Sequence, residues 1–245
     1  MSGEGSFEHL PAERHWPDAI EGLERLQRQL AAAAASATPW ELPSGRLRAA
    51  AVFATYPTGR PGPGEAGEPA WAAAVLLHGA EQLAEAFARG FTGAPYIAGL
   101  LGLRCGLLLE STMRALPQRP DVLLVDATGR DHPRGAGLAL HLGAALGLPT
   151  VGVTNRALLA GYEAPEDRRG AWAPLLLGSE LVGYAVRARP GVHPVLAHAA
   201  WRTSPATARA VVLACVGSHR TPEPLRRART AARVARAVDE GHFPA

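Results

Sequence analysis

The sequence predicts one α/β domain. Three observations carry that expectation. Val122 to Val125 and Thr150 to Val153 are short aliphatic runs, the pattern of buried parallel strands. Longer stretches around them repeat apolar residues every three or four positions, the helical period. No internal repeat or linker divides the 245 residues. The expected parts are an N-terminal helix at 11–35, a core at 46–216 and a basic C-terminal helix at 222–238.

In chain order, Trp16, Ile20, Leu23, Leu26 and Leu30 place one apolar face on the first helix. Thr38 to Gly45 holds two prolines and a glycine and reads as a loop. Arg48 to Tyr56 and Ala72 to Leu77 read as strands. Thr58 to Pro69, dense in Gly and Pro, separates them as a long turn. Ala84 to Phe91 fits helix or strand by period alone. A helix follows from about Cys105 to Leu116, stopped by Pro117 and Pro120. Val122 to Val125 ends in Asp126, a polar group at the strand edge where open α/β sheets place their chemistry. Thr128 to Gly135 is a loop, and Ala136 to Leu146 a helix closed by Gly147 and Pro149. Leu181 to Ala188 and His193 to Ala199, separated by Arg189-Pro190-Gly191, suggest a hairpin. Ser204 to Val216 reads as a helix, and a last one follows Pro222.

Composition narrows the function. Hydrophobic residues make up 47% and charged residues 19%, enough apolar surface for a real core. All 25 of the Lys+Arg count are arginines. That excludes a Schiff-base lysine and the lysine-bearing phosphate loop. The formal charge of +3 permits an anionic partner without demanding one. Two cysteines exclude a disulfide framework and a four-thiolate zinc site. The polar start from Met1 to Glu8, with no apolar run near the ~20 residues of a membrane span, points to a cytoplasmic protein and no membrane partner.

Four stretches, in order, resemble the endonuclease V family. Pro95-Tyr96-Ile97-Ala98-Gly99-Leu100-Leu101 resembles the family's wedge loop, which strips a deaminated base from the stack. Arg119-Pro120-Asp121, Val125-Asp126, Gly129, His132-Pro133-Arg134, Gly137-Leu138-Ala139 and His141-Leu142-Gly143 resemble its central signature. Leu148 to Val153 is the third stretch. Arg189-Pro190-Gly191, Pro194-Val195, Arg202, Ser204, Cys215, Arg220 and Pro222-Glu223-Pro224 form the fourth. The similarity runs from about Pro11 to Val238. It implies an RNase H-like α/β fold with a mixed five-stranded sheet flanked by helices. It also implies a magnesium-dependent nuclease cutting near inosine or deoxyinosine. By the same resemblance, Pro95, Tyr96, Ile97, Gly99, Arg134 and Arg202 are the candidate nucleic-acid contacts.

The resemblance fails at the residues that would hold the metal. The family's first Asp falls on Phe53 and its Glu on Cys105; only the central Asp survives, as Asp126. A His becomes Thr128, a Lys Asn155, a late His Trp201, and a late acidic residue Ala206. Magnesium wants several anionic oxygens, so no metal and no cofactor is expected.

Three functions follow. The first is a repurposed, metal-independent enzyme, a Cys-dependent transferase or hydrolase. Cys105, at a helix N-terminus with its pKa lowered, would be the nucleophile, His132 the base and Asp126 the orienting carboxylate. Its substrate would be a small-molecule or carrier-bound acyl group. The second is a nucleic-acid-binding or scaffold protein without turnover. Tyr96 would stack on a base and Arg220, Arg226, Arg227, Arg229, Arg233 and Arg236 would face phosphates. The third is a residual inosine-directed endonuclease.

Overall fold

The computed structural model describes residues 15–59 and 61–241, so the start of the expected first helix, Pro11 to Arg14, lies outside the described residues. The helices are α1 (Ile20–Ser36), α2 (Leu101–Arg114), α3 (Leu138–Leu146), α4 (Pro205–Cys215) and α5 (Glu223–Asp239). The strands are β1 (Arg48–Thr55), β2 (Pro69–His78), β3 (Glu81–Phe91), β4 (Val122–Val125), β5 (Thr150–Thr154), β6 (Trp172–Leu177), β7 (Glu180–Val186) and β8 (Val195–Ala199).

All eight strands form one sheet in the order β3-β2-β1-β4-β5-β8-β7-β6. This corrects the expectation of five. The antiparallel run β8-β7-β6 continues the sheet past β5. β1, β4 and β5 pair in parallel, and β2 and β3 add antiparallel strands on the other side. No helix among the described residues is long and apolar enough to cross a membrane.

Strand alternation sorts the core into two layers. Ala50, Val52, Leu123 and Val125 pack with residues of α2 and α3. Ala49, Ala51, Val122, Leu124, Val151 and Val153 pack with residues of α4 and α5. The central strands are therefore buried on both faces, as their unbroken aliphatic runs require. β3 is different. It is largely exposed, and its strand state rests on long antiparallel pairing with β2, which periodicity alone could not reveal. Helix ends follow local chemistry. Gly147 takes the left-handed conformation after α3 at φ 61°, and Ser204 caps α4 by accepting from the Thr207 N–H at 3.0 Å.

The chain before α1 is fixed by a buried polar cluster. Glu110 on α2 accepts from His15 Nδ1 at 2.9 Å and Trp16 Nε1 at 2.7 Å, and pairs with Arg114. Trp16 stacks on His141 at 3.9 Å. Gly106 makes room: a Cβ there would lie 2.0 Å from the Trp16 ring. The helix gives up propensity at that glycine and gains a seat for the indole.

Burial holds the His141 imidazole neutral, lowering its pKa to about 3, while its Nε2–H donates to the His15 carbonyl. The unfolded chain takes up that proton first. The stability gained from the neutral ring is therefore complete above about pH 6.5, the ordinary histidine value, and is lost as pH falls toward about 3. Urea unfolding between pH 6 and 4 is expected to lose about 1 kcal/mol per pH unit from this group. His141→Phe, which keeps a ring on Trp16, is expected to flatten that limb. An unchanged slope would refute the assignment.

Candidate functional site

The C-terminal ends of β1 and β4, the N-terminal half of α2 and the wedge loop enclose two adjoining cavities. The smaller, about 250 Å³, is lined by Phe53, Thr55, Tyr56, Cys105, Val125 and Asp126 among others. The larger, about 420 Å³, is lined by Gln27, Thr128, His132, Thr154, Arg156 and Leu158 among others. Tyr96, Leu101, Asp126 and Leu138 border both. The larger lies within the range of ligand clefts, roughly 300–1,000 Å³.

Phe53, Cys105 and Asp126, the three positions aligned with the family's carboxylates, do converge on one cavity. Their chemistry is not that of a metal site. Asp126 Oδ2 takes an ion pair from Arg229 Nη2 at 2.8 Å and a bond from Arg229 Nε at 3.2 Å. Strand parity sends Asp126 and Phe53 toward α5, and the Arg229 and Arg233 guanidiniums lie 5.7 and 6.0 Å from the Phe53 ring. Among the described residues no group of three His, Cys, Asp or Glu side chains is placed to hold a metal ion. The magnesium implied by the resemblance wants more than one anionic oxygen, and this set does not fit it.

The expected Cys105–His132–Asp126 constellation is not assembled. Cys105 is the fifth residue of α2, beyond the free N–H groups of its first turn. Its thiol is buried, lies 3.5 Å from the Leu101 carbonyl, and is pushed up rather than down, with burial the main cause. Both nitrogens of His132 are occupied. Nε2–H donates to the Gly99 carbonyl at 2.9 Å and Nδ1 accepts from the Arg134 N–H at 3.2 Å. Burial lowers the His132 pKa, so the ring is neutral and committed to structure. Asp126 faces Arg229, not His132.

The candidate nucleic-acid contacts separate into two groups. Tyr96 and Ile97 stand exposed on the wedge loop, 53% and 37% accessible. Arg134 is drawn inward. It pairs with Glu24 at 3.1 Å, donates to Gln27 and donates to the Gly99 carbonyl at 2.9 Å. That one carbonyl receives Gln27, His132 and Arg134 together. Gly99 has φ 79°, and a Cβ there would lie 3.3 Å from both His132 and Arg134. Gly99, His132 and Arg134 thus clamp the base of the wedge, with Pro95 leading into it. Arg202 sits elsewhere, its Nε–H on the Thr38 carbonyl at 3.2 Å.

The expected row of phosphate-facing arginines is mostly bound within the protein. Arg220 donates to the His193 and Pro194 carbonyls, Arg226 pairs with Glu223, Arg227 holds the Ala80 carbonyl and Arg236 the Tyr56 carbonyl.

The sequence offered Arg229 only as one of six phosphate-facing arginines, with nothing to mark its pairing with Asp126. One residue was missed altogether. Asp131 is fully buried and accepts from the backbone N–H groups of Leu158, Leu159 and Ala160 at 2.8–2.9 Å, fixing the loop that walls the larger cavity. Its only sequence signal is a charge inside a motif otherwise read as scaffold.

The model of the endonuclease V family matches residues 62–230. Endonuclease V of Streptomyces coelicolor is 36% identical over 222 residues, covering 90% of this chain and 92% of that one. The crystal structure of endonuclease V from Streptomyces avermitilis superposes with TM-score 0.81 at 36% identity, covering 96% and 98% of the two chains. Ciona intestinalis endonuclease V, solved with a 24mer DNA containing an inosine followed by a ribo-adenosine, shares the fold at TM-score 0.72 and 21% identity over 90% and 98%. These relatives overturn the expectation of a Cys-dependent transferase or hydrolase acting on acyl groups. The buried, upshifted thiol and the engaged His132 give the physical reason.

Cys105 and Cys215 are both expected to react slowly with iodoacetamide in the native protein, because burial raises both thiols, Cys215 to about 12. Mass spectrometry of timed aliquots should show labelling only as the chain unfolds. Fast, selective labelling of Cys105 would contradict this site.

Proposed function

The chain belongs to the endonuclease V family, and on that premise we propose that it binds a nucleic-acid strand carrying a deaminated base such as inosine. The observation that carries this is the pairing of an exposed aromatic wedge with a base-accommodating cavity beside it. Tyr96 offers a face for stacking, and Ile97 an apolar edge to fill the gap an extruded base leaves. The wedge is held from beneath by three donors on one carbonyl, so little ordering remains to be done when the strand arrives. Gln27, Thr128 and Thr154 bring polar groups to the cavity wall, and Arg156 stands exposed at its rim.

Burial and charge support binding more directly than chemistry. The metal position is degenerate: one carboxylate, already matched by an arginine, among ring, thiol and aliphatic walls. A second function, cutting of the strand, is favoured by the 36% identity to a curated endonuclease V over 222 residues.

One gel experiment separates them. With an inosine-containing single strand at low salt, the wild type is expected to shift the strand intact, with or without Mg²⁺. Tyr96→Ala is expected to weaken the shift about 5- to 150-fold, the worth of one stacked base. Phe91→Ala, an exposed aromatic outside both cavities, should leave it unchanged. No shift by the wild type would dispose of the proposal. A cut product that needs Mg²⁺ would favour the second function.

A further inference from the structure

We infer that Arg229 is the resident cation of this site: held on Asp126, it grips a strand phosphate directly and makes binding independent of divalent metal. The inference rests on the nucleic-acid reading above and names the group that contacts the backbone.

Four observations carry it. First, Asp126 is the only one of the three converging positions that is charged, and its partner is a guanidinium at 2.8 Å. Second, Arg229 is anchored without being used up. Its Nε and Nη2 face Asp126 and its Nη1 faces Thr221 Oγ1 at 3.5 Å. A guanidinium has five N–H bonds, so about two remain, the number a phosphate takes in a forked contact. Third, the side chain is 19% accessible, buried enough to be fixed and open enough to be reached. Fourth, exposed Arg233 stands 6.0 Å from the same Phe53 ring, so the pair of arginines outweighs the one carboxylate. The local charge is positive, as a phosphodiester requires.

Phe53 has a definite part. An aspartate at that position would compete with Asp126 for Arg229 and repel a phosphate. The aromatic ring instead gives both guanidiniums a face to lie near. Metal neutralisation of the backbone is thus replaced by a tethered monovalent cation that needs no recruitment from solution.

The test is fluorescence polarisation of an inosine-containing single-stranded DNA, with EDTA or with millimolar Mg²⁺. The wild-type affinity should be the same within about twofold in both. Arg229→Gln should weaken binding at least tenfold and reduce the slope of log K against log salt by about 1, one phosphate contact fewer. Arg229→Lys should recover part of the affinity. Because Arg229→Gln could loosen α5, Mn²⁺ is also titrated into the wild type by calorimetry, where no saturable heat is expected. Strand binding that needs the divalent ion, an unchanged affinity and slope in Arg229→Gln, or a saturable Mn²⁺ site abolished by Asp126→Asn would each overturn the inference while leaving strand binding intact. Absence of any strand binding by the wild type would sink both it and the reading on which it rests.

Discussion

A carboxylate at the end of a central strand, in a cleft walled by hydrocarbon, needs a counter-charge. Asp126 has Val125, Leu101 and Leu138 around it and, among the described residues, no second acid with which to share a metal ion. Its charge is met from α5, by Arg229 at 2.8 Å. That ion pair couples the sheet edge to the last helix. It sets the electrostatic sign of the cleft, and it decides which ligands the cleft can accept. An anion finds guanidiniums there; a divalent cation finds its one ligand taken.

The wedge loop obeys a separate constraint. An exposed aromatic at a loop tip serves recognition only if the loop is stiff. Here stiffness comes from below, where Gly99 turns with positive φ and its carbonyl collects three donors from α1 and from the loop after β4. His132 and Arg134, which look like chemistry in the sequence, are used to build this clamp. Asp131 does similar work on the opposite wall by holding three successive backbone N–H groups. Motif residues that carry charge are thus spent on geometry, and the side chains left to meet a ligand are Tyr96, Ile97, Arg156, Arg229 and Arg233.

Much of the fold was legible in the residues. β4 and β5 declared themselves as aliphatic runs, because strands buried on both faces cannot alternate. Gly147 and Pro149 marked the end of α3, and Arg189-Pro190-Gly191 the turn between two antiparallel strands. β3 and β6 were not legible. Both are edge strands with much solvent exposure, and each is held by hairpin pairing with the strand next to it in the chain, β3 with β2 across Gly79-Ala80 and β6 with β7 across Gly178-Ser179. The site was half legible. That Phe53, Cys105 and Asp126 would meet followed from aligned motifs. What the meeting would mean did not, because Cys105 lies one turn deeper in its helix than expected and Arg229 arrives from 103 residues downstream. Contacts of that separation leave no local trace.

A crystal grown with Mn²⁺ and an inosine-containing strand, with data collected at the manganese absorption edge, distinguishes a guanidinium on Asp126 from a metal ion there. Expected are Arg229 on Asp126, a strand phosphate against the remaining guanidinium N–H bonds, and no anomalous peak within coordination distance of Asp126. A manganese peak on Asp126 with Arg229 swung away would contradict this assignment.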